Sequence, residues 1–229
     1  MFWSPRAEYV SATPHRFIVV EGPIGVGKTS LARRLADSLA GQALLEQADQ
    51  NPFLERFYKN PRAAAFQTQL FFLFQRARQL EEVRQEDLFG AVRVADYLLE
   101  KDRLFARVTL DDAEYALYER VYERVVVDAP KPDLVVYLQA PADALMDRIA
   151  KRGVRYEQHI ERGYLEKLAQ VYARFFHSYD ASPLLIVNSA AIDPVSNDAD
   201  YQLLFSEICQ TRRGRHFFNP AGRSLLPSN

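Results

Sequence analysis

The sequence contains one cysteine, one tryptophan, two methionines and four histidines in 229 residues. A lone Cys209 excludes an internal disulfide framework, and without spaced Cys or His partners it excludes a structural zinc site. A reducing compartment, the cytoplasm, is therefore the expected setting. His15, His159, His177 and His216 show no metal-ligand spacing. The formal net charge is −1, so no global positive field exists to hold a nucleic acid polymer. No apolar run reaches the roughly 20 residues of a membrane span, so no membrane partner is expected. The opening stretch "MFWSPRAEYVSATPHR" has two prolines and no continuous apolar segment, which argues against a signal peptide. No Gly/Ser linker, charge block or repeat divides the chain. One domain over 16–212 is expected, with an N-terminal extension (1–15) and a C-terminal tail (213–229).

Glycine is scarce as well, with nine in the chain, yet three of them fall in the six residues Gly22 to Gly27. The surrounding pattern alternates strand and helix. Residues 16–21 predict a buried strand, and 28–40 predict an amphipathic helix closed by Gly41. A short strand around "ALLEQ" follows, then a short and a long helix separated at Pro61. "AVRVAD" is a third strand, "DYLLEKDRLFARV" runs into a helix, and "DDAEYALYERVYERVV" is a helix capped by Asp111 or Asp112. "PDLVVYLQA" is the clearest strand; after it comes "PADALMDRIAKRG", a helix with proline near its start and Gly153 past its end. A helix over 162–178, a strand "PLLIVNS" and a last helix "DADYQLLFSEICQTRR" complete the pattern, and the tail reads as irregular. This alternation predicts an α/β fold, a parallel sheet of about five strands with helices on both faces.

"EGPIGVGKTS" fits G-x-x-x-x-G-K-[ST] through Gly22, Gly27, Lys28 and Thr29, and it lies between a strand and a helix as the mechanism requires. Glycines let backbone N–H groups converge on a phosphate, and the helix start adds free donors and the positive end of a dipole. Residues Gly22, Pro23, Ile24, Gly25, Val26, Gly27, Lys28, Thr29 and Ser30 thus form a candidate ATP site. Lys28 reaches the terminal phosphates and the Thr29 hydroxyl holds Mg²⁺. A guanine signature N-K-x-D is missing, which disfavours a regulatory GTPase, and no second nucleotide loop or coupling domain suggests a motor or transporter. A small kinase remains.

The ordered segments "EGPIGVGKTS", "NPFLERFYKNP", "FQTQLFFLFQRARQ", "DYLLEKDRLFA" and "RIAKRGVRYEQHIERGYLEKL" resemble the deoxynucleoside kinase family, in particular its bacterial deoxyadenosine, deoxyguanosine and deoxycytidine kinases. The resemblance runs from about residue 17 to 190 and implies ATP-dependent phosphorylation of a deoxynucleoside 5′-hydroxyl in nucleotide salvage. It implies that Glu46, after the second strand, is the base that takes the hydroxyl proton. A strand's carboxyl end is also where a doubly wound sheet collects ligands, although a surface carboxylate at a loop start is the plain alternative. Gln69 and Arg76, seven residues apart on an otherwise apolar helix, share one face and need polar partners if buried. The resemblance assigns them to the nucleobase, with Asp102 beside Arg76, and assigns Tyr58 and Glu157 to the sugar. The alternative is a helix whose polar residues face water or a dimer partner.

In the family the third strand ends in an acid, an arginine and a small hydroxyl residue. Here the acid is Asp96, a candidate Mg²⁺ ligand, and Tyr97 stands where the arginine would be. Arg148 and Arg152 lie one turn apart before Gly153 and resemble the lid, where guanidinium groups neutralise the transferring phosphoryl. Cations near a helix C-terminus also complement its dipole, which is the simpler reading for any one of them. A homodimer is expected, because helices near 64–83 and 112–126 carry apolar residues beyond one stripe and the family pairs such helices. The rival readings are a thymidylate-kinase-like nucleoside monophosphate kinase and a nucleotide-binding regulatory protein without catalysis.

Overall fold

A computed structural model describes residues 13–85, 91–126 and 129–220. Six parallel strands form one sheet in the order β2-β3-β1-β4-β5-β6, namely β1 (Phe17–Glu21), β2 (Gln42–Leu44), β3 (Arg93–Ala95), β4 (Leu134–Gln139), β5 (Leu184–Asn188) and β6 (Arg215–Phe218). The helices are α1 (Lys28–Ser38), α2 (Leu54–Lys59), α3 (Pro61–Gln85), α4 (Lys101–Thr109), α5 (Asp112–Val125), α6 (Ala142–Arg152), α7 (Arg162–Ser178) and α8 (Asp198–Gln210). From β1 the chain moves toward β2 on one side, and from β4 it moves toward β5 on the other. Adjacent strands whose connections diverge open a crevice at their carboxyl ends, and the glycine-rich loop after β1 lies there.

Strand alternation divides the interior in two. Val19, Ala95 and Tyr137 face a cluster with Leu73 of α3, Ala106 of α4, Tyr118 of α5 and Phe176 of α7. Ile18, Val20, Val136 and Leu138 face another, with Leu31 and Leu35 of α1, Leu145 of α6 and Ile208 of α8. Central strands buried on both faces read as unbroken apolar runs, which is why "FIVV" and "LVVYL" were legible without any period. Each fully buried Leu or Ile here contributes about 1.5–3 kcal/mol from leaving water.

Local signals explain most element ends. Asp111 rather than Asp112 caps α5: its carboxylate accepts from the Glu114 amide while the Glu114 side chain accepts from the Asp111 amide, a reciprocal capping box. Pro61 is the first residue of α3, where its missing N–H removes no helical bond. Gly153 ends α6 in the left-handed region. Two expectations change. At the end of α1, Ala40 takes the left-handed step (φ 48°), and Gly41 instead donates its amide to Ala36 O at 2.8 Å. The tail is not wholly irregular, because residues 215–218 pair with β5 as a sixth strand. Three of its four residues are exposed at the sheet edge, so the segment carries no alternating pattern to read. The N-terminal segment 1–12 and the tail from 221 onward lie outside the described residues.

Candidate active site

The loop after β1 is shaped by close approach. A side chain at Gly22 would put its Cβ 2.4 Å from Leu138 O, so only glycine lets the loop lie against β4. Gly27, at φ 102°, caps α1 without any side-chain hydrogen bond, which leaves the first amides of the helix facing outward as an anion site. Lys28 folds over this cradle, donating from Nζ to Gly22 O (2.8 Å) and Pro23 O (3.2 Å). Burial, followed by the nearby Lys101 ammonium, pulls its pKa down to about 8. Ile24 and Gly25 face the same cavity as Lys28 and Thr29. Val26 packs into the core, while Ser30 is exposed on α1.

Asp96, at the end of β3, joins this loop to the next. Its Oδ2 accepts the Thr29 hydroxyl at 2.5 Å and its Oδ1 accepts the Glu46 amide at 2.7 Å. Thr29 and Asp96 thus present two oxygens side by side. No cluster of three or more acidic, His or Cys ligands occurs among the described residues. The Thr29 hydroxyl beside the Asp96 carboxylate is a donor set of the kind Mg²⁺ takes, since it keeps waters and uses only one or two carboxylates beside substrate phosphates.

Glu46, Tyr58, Gln69, Arg76, Arg152 and Glu157 line the same cavity of about 270 Å³ as Lys28, Thr29 and Asp96. α3 supplies Gln69 and Arg76 from one face, as their spacing required. Arg76 pairs with both Glu46 and Asp102, and its guanidinium lies over the Phe72 ring at 4.9 Å. Gln69 Nε2 donates to Thr109 Oγ1 at 3.3 Å. Tyr58 stacks on Tyr156 with ring planes 4° apart and centroids at 6.1 Å, and burial raises its phenol well above the usual range. Arg152, at the end of α6, pairs with Glu157 at 2.5 Å.

Asp102 and Arg148, both expected at the site, do not line the cavity. Asp102 is 0% exposed and stands behind Arg76 rather than on the cavity wall, so it meets the cavity only through that guanidinium. Arg148 bridges the loop to the end of β5, donating to Val26 O (3.2 Å), Ser189 Oγ (3.1 Å) and Ser189 O (2.6 Å). Tyr97 is buried in the core and does not line the cavity.

Sequence reasoning passed over Glu21, Lys101 and Tyr156. Glu21, buried at the end of β1, accepts from the Gly22 amide and the Tyr172 hydroxyl (2.9 Å each) and from the Leu98 amide (2.6 Å). Lys101 is the first residue of α4, and a cation in the first turn opposes the helix dipole. That misfit was a usable signal. Tyr156 could not be distinguished from the other tyrosines by sequence.

Comparison with known proteins points the same way. Residues 18–211 match the deoxynucleoside kinase family. The chain is 35% identical over 197 residues to a deoxyguanosine kinase of Bacillus subtilis, covering 84% of this chain and 95% of that one. It is 31% identical over 210 residues to a deoxyadenosine kinase of Lactobacillus acidophilus, covering 86% and 96%. Among solved structures, it resembles the deoxyadenosine kinase of M. mycoides with bound dCMP and dCDP at TM-score 0.74 and 27% identity, covering 84% and 98%. The family match runs from β1 through α8 and therefore takes in every wall of the cavity, and on that ground the chain belongs to the deoxynucleoside kinase family.

Proposed function

We propose that the protein transfers the γ-phosphate of ATP to the 5′-hydroxyl of a purine deoxynucleoside or deoxycytidine. One observation carries this reading: a single cavity joins the phosphate-loop residues Lys28 and Thr29, the Glu46 carboxylate and the polar side chains of Tyr58, Gln69 and Arg76. Lys28 and the amides at the start of α1 hold the donor phosphates. Thr29 and Asp96 are the residues that would hold Mg²⁺, which would supply charge neutralisation on the donor phosphates. Glu46 accepts the 5′-hydroxyl proton as that oxygen attacks, and Arg76 orients its carboxylate. Gln69 and Arg76 meet the base, with the amide offering a donor and an acceptor together. Tyr58 and Glu157 meet the sugar. Arg152, already beside Glu157, takes the charge of the transferring phosphoryl, while Arg148 steadies the loop from the nucleotide side.

The monophosphate kinase reading would recruit Arg76 or Arg103 for an acceptor phosphate. Arg76 is already shared by Glu46 and Asp102, and Arg103 is engaged by Glu119, with Nε 2.9 Å from Oε1, outside the cavity. The non-catalytic reading is disfavoured because Lys28, Thr29, Glu46 and Asp96 all converge. Turnover assays with deoxynucleoside and monophosphate panels test the proposal. We expect kcat/KM for deoxyadenosine, deoxyguanosine or deoxycytidine to exceed that for thymidine. Arg76, held by Asp102, presents charged donors where the methyl group of thymine would leave them unpaired. Preference for a monophosphate, or for thymidine over all three others, overturns the assignment.

A homodimer is part of the same proposal. Phe74 of α3 and Leu117 of α5 are 52% and 51% exposed, on the two helices whose apolar residues exceed one stripe. Sedimentation equilibrium at micromolar concentration is expected to give twice the chain mass, and the Phe74→Asp/Leu117→Asp double variant is expected to give the monomer. A monomeric parent protein overturns it. We place the enzyme in the cytoplasm, which the lone thiol of Cys209 supports. We take residues 16–212 as the kinase domain, whose sheet the segment 215–218 extends.

A further inference from the structure

Lys101 carries an ammonium group yet is only 3% exposed, a placement that is costly unless the charge is paired or meets a ligand. It is also the first residue of α4, where the helix dipole opposes a cation. Its Nζ makes ion pairs with Glu46 Oε1 at 3.6 Å and Glu21 Oε2 at 3.8 Å, both longer than a hydrogen bond. Nearer donors already serve those oxygens: Arg76 on Glu46 Oε1, and the Leu98 amide at 2.6 Å on Glu21 Oε2. The two carboxylates therefore do not depend on the lysine for their hydrogen bonds. The group instead faces the cavity among Lys28, Thr29, Glu46 and Asp96. Tyr97, in the place of the family arginine, is packed in the core and delivers no charge there.

We propose that Lys101 is a catalytic residue, supplying at the junction of acceptor and donor the positive charge that position 97 does not. The proposal rests on the kinase reading above. In the transfer, the 5′-hydroxyl proton passes to Glu46 and the freed electron pair forms the O–Pγ bond. The bond from Pγ to the bridging β–γ oxygen breaks, and its electron pair leaves with ADP. Lys101, whose ammonium has three N–H donors, hydrogen-bonds a γ-phosphoryl oxygen during that exchange, next to the carboxylate that receives the proton.

The test is Lys101→Met, which keeps the length of the side chain and removes its charge. Losing a preorganised transition-state donor is expected to lower kcat by about 10²-fold or more, with the deoxynucleoside KM changed less than about threefold. Thermal unfolding is expected below the parent temperature but still cooperative, because the buried Glu21 carboxylate loses the cation 3.8 Å away. A kcat within about threefold of the parent overturns the proposal. So does a loss that appears only in KM. If Lys101→Met does not unfold cooperatively, Lys101→Gln takes its place under the same criteria. Failure of both to fold also overturns the proposal, because the lysine is then a structural ion-pair partner. Turnover of deoxynucleosides by the parent protein separates the two claims: without it the kinase reading fails, and with it only the role of Lys101 is at issue.

Discussion

Replacing Lys28 by alanine is expected to lower kcat at least about 10³-fold, roughly 4 kcal/mol of transition-state stabilisation. The ammonium rests on Gly22 O and Pro23 O, the backbone of the loop that cradles the phosphates. Little packing depends on it, so the unfolding temperature is expected to move by only a few degrees. Its pKa, pulled down to about 8 by burial, adds a pH dependence of known sign. Below pH 8 the lysine is charged in the empty site, and above it the charge must be regained when ATP binds. ATP affinity is therefore expected to weaken from pH 7 to 9 in the parent and to weaken less in Lys28→Ala. Equilibrium titration with ATP at both pH values reads this directly. A Lys28→Ala variant with near-parent kcat removes the phosphate-cradle assignment.

Glu46→Gln is the second large effect. The amide keeps an acceptor for Arg76, and Asp102 continues to neutralise that guanidinium, so the nucleoside pocket stays formed. What disappears is the group that takes the proton. General-base removal is expected to cost about 10²–10⁴-fold in kcat while the nucleoside KM changes little. Steady-state kinetics with the preferred deoxynucleoside measure both parameters. An unchanged kcat would transfer the role to Asp96, even though both oxygens of that carboxylate are already engaged by Thr29 and the Glu46 amide.

The elements themselves were legible because each depends on neighbours in the chain. The apolar run of β1, a cap at Asp111 or Asp112, the stop at Gly153 and the proline opening α3 are local physics, and the structure has all four, with Asp111 as the cap. The spacing of Gln69 and Arg76 fixed a shared helical face, since seven residues make nearly two turns. Local pattern could not reveal β6, whose exposed edge residues carry no alternation.

Much of the cavity was equally readable in outline, yet its wiring was not. Motif order identified Lys28, Glu46, Gln69 and Arg76, but no spacing states that Arg76 spans Glu46 and Asp102, or that Asp102 stands behind it. Nor could it show that Arg148 is held at Ser189, 41 positions away. The sequence alone determined which chemistry-bearing residues exist and which elements carry them, because backbone conformation and motif spacing are short-range properties. Only the tertiary structure decided which charges meet. Ion pairing in a buried cavity depends on ångström-scale approach between β1, β2, α3 and α4, segments far apart in the chain. That approach is why Lys101 arrives beside Glu46 and Glu21.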